Sequence, residues 1–331
     1  MNQQRFPAFR IHQEQGRITS RLESISLSDL SAGEVVVRVR YSTINYKDAL
    51  AATGKGKILR KYPLVGGIDL AGEVVTSSHP ALSPGDRVLV NGCGLSETHD
   101  GGYAQYARVQ SDWIVPIPTG LDEYQCMAIG TAGFTAALAI HRMEENGLQP
   151  ANGEIVVTGA TGGVGTVAID MLATRGYRVV AVTGKRTQED YLRTLGAARV
   201  LVRDEIELGS KPHEAAQWAG AIDSVGGAWL AWLLRTCNLH ASVASIGMAA
   251  STELTTTVLP FILRGVNLLG INSVYTPRAL RLRVWQRIAS DLRPRSLDKI
   301  ATRTIELADL PSAFQQYLDA NIVGRTVVRI S

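Results

Sequence analysis

The chain has 331 residues, longer than one usual domain, and its 45% apolar and 19% charged content fits a globular enzyme with a large core. The net charge of +4 is spread out, with no long Lys/Arg block and no aromatic platform among the cations, which argues against nucleic acid as a partner. Cys93, Cys126 and Cys237 are odd in number and outside any CxxC spacing, which argues against a disulfide framework. With no apolar leader and no stretch of about twenty apolar residues, a cytoplasmic protein without membrane association is expected.

From about 1 to 125, short alternating runs such as Glu34 to Arg40 and Asp86 to Val90 are punctuated by Gly and Pro, which predicts a compact β-rich domain. Inside it, Asp69 reads as the stabiliser of a turn after Gly66-Gly67. Gly130-Thr131-Ala132-Gly133 lies where two domains should meet, and its small residues suit either a hinge or close helix packing. From about 126 the pattern alternates: elements over 155–159, 163–175, 178–182, 187–195, 199–202, 220–223, 228–237 and 242–246 describe an α/β domain with a doubly wound parallel sheet. A strand at 267–271 ends that sheet. A basic helix near 277–292 and a last strand at 325–329 remain, and periodicity does not assign them to a domain.

The densest signal is Glu154 to Gly165, an apolar strand running into glycines at 159, 162 and 165 and then an amphipathic helix. Glycine lets such a turn approach a pyrophosphate, which the free N–H groups and positive dipole end of the helix stabilise. Thr161, Gly162, Gly163 and Val164 are therefore candidate cofactor contacts. An NAD site usually carries an acidic residue at the tip of the second strand, to hold the ribose hydroxyls. Here the tip reads Thr183-Gly184-Lys185-Arg186, with two cations and no carboxylate, which suits a 2′-phosphate and favours NADPH. Arg203, after the next apolar run, either joins them or is a surface arginine at a strand end. Thr135, Ile246 and Gly247 complete the candidate set on this domain.

A catalytic zinc needs three close Cys, His or acidic ligands and a structural zinc four, usually closely spaced cysteines. Neither set is visible, since the histidines at 12, 79, 99, 141, 213 and 240 are scattered and no Cys has a Cys neighbour, so no metal is expected.

Several stretches then carry a family likeness: Asn45-Tyr46-Lys47-Asp48, Gly67 to Val74, Gly85 to Val88, Gly102 to Ala107, Gly130 to Ala136 and Gly324 to Val328. Together they resemble the medium-chain dehydrogenase/reductase superfamily in its zinc-free quinone reductase branch. Asn45 to Leu50, Thr53 to Ile58 and Leu269 to Val274 are similar to its acryloyl-CoA reductase subgroup. The resemblance implies a GroES-like catalytic domain (1–125, completed by 272–331), a Rossmann NADPH-binding domain (126–271) and a homodimer. It also implies that backbone groups of Ile271, Asn272, Ser273 and Val274 bind the nicotinamide carboxamide. Asn272 stands where the subgroup commonly has Asp, so no carboxylate role is carried over to it.

Without a metal, charge must be stabilised by hydrogen bonds and cations, which suits hydride addition to a double bond conjugated to a carbonyl. The expected reaction is reduction of acryloyl-CoA to propanoyl-CoA. Reduction of a quinone or enone is the alternative, and a non-catalytic NADPH-binding role the remote one. In the site motif, Asn45 can donate to the substrate carbonyl or hold the nicotinamide ribose, and Asp48 can orient its neighbours. Tyr46 either delivers a phenolic proton or is a packed aromatic at a loop corner. Arg325 either reaches the nicotinamide pocket or thioester or is a surface arginine. The cations of Thr53 to Lys61 either engage coenzyme A phosphates or form a solvated face.

Overall fold

The computed structural model describes residues 4–331. In chain order the elements are β1 (Phe6–Glu14), β2 (Arg17–Ile25), β3 (Val35–Thr43), α1 (Tyr46–Thr53), β4 (Leu64–Val65), β5 (Asp69–Ser77), β6 (Arg87–Asn91), β7 (Tyr106–Val109) and β8 (Val115–Pro116). There follow α2 (Glu123–Glu145), β9 (Glu154–Thr158), α3 (Gly163–Thr174), β10 (Arg178–Thr183), α4 (Glu189–Thr194), β11 (Ala197–Val202), β12 (Trp218–Asp223), α5 (Gly227–Thr236) and β13 (Cys237–Ser245). The chain ends with α6 (Leu259–Arg264), β14 (Asn267–Gly270), α7 (Arg278–Ile288), α8 (Leu297–Ile300), β15 (Arg303–Glu306), α9 (Leu310–Leu318) and β16 (Thr326–Arg329).

Two compact units result, the first holding residues up to Thr131 with Val274–Trp285 and Ala301–Ser331, the second Ala132–Ser273 with Gln286–Ile300. In the first, strands run in the order β15-β16-β3-β5-β6-β8, β7 also pairs with β3, and β2-β1-β4 form a smaller sheet. The alternation read at 34–40 is the pleat of β3. Val35, Val37 and Val39 point into a core with Leu70, Val74, Val88 and Val90, while Val36, Arg38 and Arg40 are only half-buried. A second core under the small sheet joins Phe6, Phe9 and Ile11 to Phe314 of α9, with the Phe9 and Phe314 rings edge to face at 5.8 Å.

The second unit is a parallel sheet in the order β11-β10-β9-β12-β13-β14. Ile155 to Val157 of β9 and Val179 to Ala181 of β10 are fully buried, because helices cover both faces of such a sheet and its central strands read as unbroken apolar runs. The chain is thus a GroES-like β-rich unit plus a Rossmann unit.

The units differ in detail from the boundaries expected at 125/126 and 271/272. α2 is broken at Gly130 (φ 52°, ψ −161°), and the residues before the break stay with the first unit, where Thr131 is tied to Asp69. Residues 286–300 leave the C-terminal return and pack on the second unit. Arg287 pairs with Glu144 at 2.6 Å, and buried Asp170 accepts from the amides of Arg295 (2.7 Å) and Ser296 (3.2 Å). The last strand does belong to the first unit: β16 pairs antiparallel with β3 and parallel with β15. Among the described residues no helix is long and apolar enough to cross a membrane.

Candidate active site

In the first unit the residues of the Asn45-to-Asp48 motif open α1. Asn45 is the N-cap, Tyr46 the first helical residue, and Asp48 the third, where its Oδ2 accepts from the Asn45 amide at 2.8 Å. The Asn45 side chain is already fully engaged. Its Nδ2 donates to Asp69 Oδ2 (2.7 Å) and Asp48 Oδ2 (3.2 Å), and its Oδ1 accepts from Arg325 Nη1 (3.1 Å). A carboxamide has two N–H donors, so Asn45 has none left for the substrate carbonyl expected from the sequence.

Arg325 is also placed differently from the expected open pocket. It is 2% exposed and donates to Ala128 O (3.2 Å), Ile44 O (3.1 Å), Asn45 Oδ1 (3.1 Å) and Thr43 Oγ1 (2.7 Å). It is a buried clamp and not a strand-end surface arginine. Tyr46, by contrast, is 51% exposed, so the packed-corner reading does not hold for it.

Sequence reasoning missed the hub of this network. Asp69, fully buried at the start of β5, accepts from Thr131 N (3.0 Å), Thr131 Oγ1 (2.6 Å) and Asn45 Nδ2. A carboxylate inside the apolar run Ile68-Asp69-Leu70-Ala71 was the available signal, because an acidic side chain is buried only with partners. Burial pushes the Asp48 carboxyl up to about 7, against donors from Asn45 and with added repulsion from Asp69. Burial raises Asp69 as well, opposed by the Thr131 and Asn45 donors and by Arg325.

In the second unit the glycine turn has the shape its spacing requires. Gly162 donates to Gly159 O at 2.9 Å and is the N-cap of α3. A Cβ on Gly165 would lie 2.4 Å from Gly159 O and 2.8 Å from Ala160 Cα, so only glycine lets the helix start this close to the strand end. Gly163 and Val164 sit in the first turn, where amides have no intrahelical acceptor. Thr161 is buried beside them. Asp223 closes the end of β12 onto this turn, accepting from Thr158 Oγ1 (2.6 Å) and the Gly226 amide (2.8 Å).

Further along the same carboxyl edge, Ile246, Gly247 and Ile271 line one pocket of about 300 Å³ with Gly226, Met248 and Leu254. The Ile271 amide donates to Ser245 O (3.1 Å) and the Ile246 amide to Asp223 O (2.9 Å), which fixes the pocket floor. Asn272 is exposed and Ser273 buried at the end of this unit, and Thr135 is buried in α2. Val274 opens a segment of the first unit. Its carbonyl accepts from the Cys93 amide (3.1 Å) and Arg281 Nη2 (2.9 Å).

At the tip of β10, Thr183 is buried and its Oγ1 accepts from the Lys185 amide at 3.0 Å. Partial burial holds the Lys185 ammonium below its usual range. The Arg203 guanidinium lies over Gly184, where an added Cβ would meet its Cζ at 3.2 Å, so Arg203 does join the tip. Two acids that the sequence reading did not weigh come with it: Arg203 pairs with Asp204 at 2.8 Å, and Arg186 pairs with Glu205. The tip therefore has carboxylates after all, supplied by the turn after β11. A dinucleotide fits this edge, with the close-approach glycines at one place and the cations at another.

The loop cations Lys55, Lys57, Arg60 and Lys61 are all exposed. Among the described residues no group of three or more His, Cys, Asp or Glu is placed to hold a metal ion.

Comparison with known proteins follows the same outline. Residues 31–119 match the family described as alcohol dehydrogenase GroES-like domain, and residues 163–290 the one described as zinc-binding dehydrogenase. Acrylyl-CoA reductase AcuI of Ruegeria pomeroyi is 49% identical over 96% of this chain and 97% of its own length. "Putative quinone oxidoreductase YhfP" of Bacillus subtilis is 46% identical over 98% of this chain and 99% of its own. The crystal structure of YhfP with NAD bound has a TM-score of 0.96, at 45% identity, covering 99% of this chain and 100% of that one. The YhdH oxidoreductase of Salmonella enterica in complex with NADP has a TM-score of 0.95, at 45% identity, covering 98% and 100%. Likeness of this extent, over nearly the full length of both chains, places the chain in the medium-chain dehydrogenase/reductase superfamily, among its acrylyl-CoA reductases and quinone oxidoreductases.

Proposed function

We propose that the protein is an NADPH-dependent reductase of activated carbon-carbon double bonds, acting on an α,β-unsaturated thioester such as acryloyl-CoA to give propanoyl-CoA. The observation that carries this reading is the near full-length likeness to a protein named acrylyl-CoA reductase. The name of YhfP favours a second reading, an NADPH quinone or enone reductase. When bound, NADPH supplies the hydride, which adds at the β-carbon while a proton adds at the α-carbon. The first-turn amides at Gly163 and Val164 hold the pyrophosphate, and Ile246, Gly247 and Ile271 line the nicotinamide end. Thr183, Lys185, Arg186 and Arg203 form the 2′-phosphate end. Exposed Tyr46 is the group that delivers the proton, whereas Asn45, Asp48 and Arg325 hold the start of α1 in place. Initial rates of NADPH oxidation test the reading: acryloyl-CoA should give a larger kcat/KM than 1,4-benzoquinone.

One relative holds NAD and another NADP, so the choice of cofactor rests on this chain's own tip residues. Asp204 and Glu205 already neutralise two cations there, and a 2′-phosphate must compete with them. Each charge-assisted hydrogen bond is worth roughly 1.5–3 kcal/mol. Replacing Lys185 and Arg186 together by Ala should therefore raise the NADPH dissociation constant at least about tenfold, with little change for NADH, in titrations of cofactor fluorescence. Equal losses would refute the assignment.

We also place the protein in the cytoplasm, as a homodimer. Three free thiols support the location, which activity in the cytosolic fraction would test. β14 is one of the two edges of the Rossmann sheet among the described residues, with exposed Leu268 on it and exposed Val258, Ile262 and Leu263 at the helix packed on β13, a surface suited to a second copy. Light scattering should give a mass near twice that of the 35.7 kDa chain, and a monomer would contradict the dimer.

A further inference from the structure

Two carboxylates and a guanidinium buried together cost solvation, and apolar residues of similar volume often fold as well or better. A network kept polar in such a place is explained if it specifies one arrangement. Asp69 is the hub. Both its oxygens are held by Thr131, through the hydroxyl at 2.6 Å and the amide at 3.0 Å, and its Oδ2 faces Asn45 Nδ2 at 2.7 Å. The carboxamide of Asn45 is thereby fixed in orientation. Turned over, it would set its oxygen against Asp48 and Asp69 and its NH2 against the Arg325 guanidinium. Asn45 in turn caps the helix whose first residue is Tyr46.

We propose that Asp69 is a positioning residue for the reaction, locking the Asn45 carboxamide between Arg325 and the two carboxylates and so fixing the helix start that presents Tyr46. This rests on the reductase reading above. Asp69 touches no substrate. It acts through Asn45, and Thr131 acts through Asp69. In Asp69→Asn the charge is lost, so any oxygen left facing Asn45 is a weaker acceptor, and an NH2 in the Oδ2 place would meet two donors, Asn45 Nδ2 and Thr131 N; either way the orientation lock is weakened.

The test uses Asp69→Asn, Thr131→Val and Thr131→Ser in the full chain. Rates are taken with whichever acceptor the wild type reduces best, and the side-chain NH2 signals of Asn45 are followed by NMR after selective asparagine labelling. Asp69→Asn should lower kcat by about tenfold to a hundredfold, the scale of a misplaced catalytic group, with KM and the NADPH dissociation constant within about threefold. Thr131→Val should lower kcat less, and Thr131→Ser, which keeps the hydroxyl, should restore it. In the wild type the Asn45 NH2 protons should be protected from exchange, and in Asp69→Asn they should not. A folded Asp69→Asn protein with kcat within about twofold of wild type and unchanged Asn45 protection would overturn the proposal. So would Thr131→Ser as slow as Thr131→Val. If Asp69→Asn does not fold, the two Thr131 variants decide. If the wild type reduces neither thioester nor quinone, the functional reading falls, while the Asn45 signals still decide the lock.

Discussion

Gly130→Ala is expected to cost about 3 kcal/mol or more of folding stability. Gly130 breaks α2 at φ 52° and ψ −161°, a backbone region almost confined to glycine, where another residue costs of order 1–3 kcal/mol. The added methyl has no room. It would lie 2.7 Å from Arg325 Nη2, 2.8 Å from Thr43 Cγ2 and 3.1 Å from Asp69 Oδ2. None of these can give way easily, because Arg325 is held by four hydrogen bonds, and both Thr43 and Asp69 are fully buried. Overpacking of this kind adds roughly 1–3 kcal/mol. Gly85→Ala is the control: Gly85 has φ +92° but nothing within 4 Å of an added Cβ, so it isolates the backbone term. Urea unfolding should show Gly130→Ala as clearly the more damaging. Equal losses would mean that the Arg325, Thr43 and Asp69 contacts are not rigid.

The second large effect is a dependence on pH. The Asp48 carboxyl stands at about 7 in the fold against an ordinary value of 3.8, because it is buried and beside Asp69. The amide of Ile68 donates to it, and Tyr103 and Tyr317 feel its charge. A carboxyl raised in the fold binds its proton more tightly there than in the unfolded chain. Between about pH 4 and 7 the folded state therefore holds more protons, and stability falls as pH rises through that window. The full penalty is present above it, on the order of a few kcal/mol. Other acids, such as Asp29 and Glu34, are lowered by hydrogen bonds and act in the opposite sense as pH falls. The difference between wild type and Asp48→Asn isolates the one group. Measured by urea unfolding from pH 4 to 8, the variant should gain on the wild type as pH rises, with the change centred in that window. A difference that does not vary with pH would contradict the burial of an ionisable Asp48.

Much of the architecture was legible because it is written locally. The two-residue period of β3, the apolar runs of the parallel strands and the glycines before α3 each report their own surroundings, and they gave both fold classes and the cofactor edge. What was hidden depends on residues far apart in sequence. Asn45 looked like a free donor because its partners, Asp69 and Arg325, lie 24 and 280 positions away. Arg325 looked like a pocket cation for the same reason. At the cofactor tip, the acids facing Arg186 and Arg203 come from the turn after the next strand, where the usual fingerprint does not look. The break in α2 was half visible, since small residues at 130–133 signalled a joint, but its position at Gly130 is set by Arg325, Thr43 and Asp69 packed against it.

The central claim is that this chain delivers a hydride to a thioester-activated double bond. The most direct measurement is kcat/KM for NADPH oxidation with acryloyl-CoA and with 1,4-benzoquinone on the same preparation, with propanoyl-CoA identified as the product. The thioester should be preferred, and one propanoyl-CoA should form for each NADPH consumed. A large preference for the quinone, or NADPH consumption without propanoyl-CoA, would contradict it.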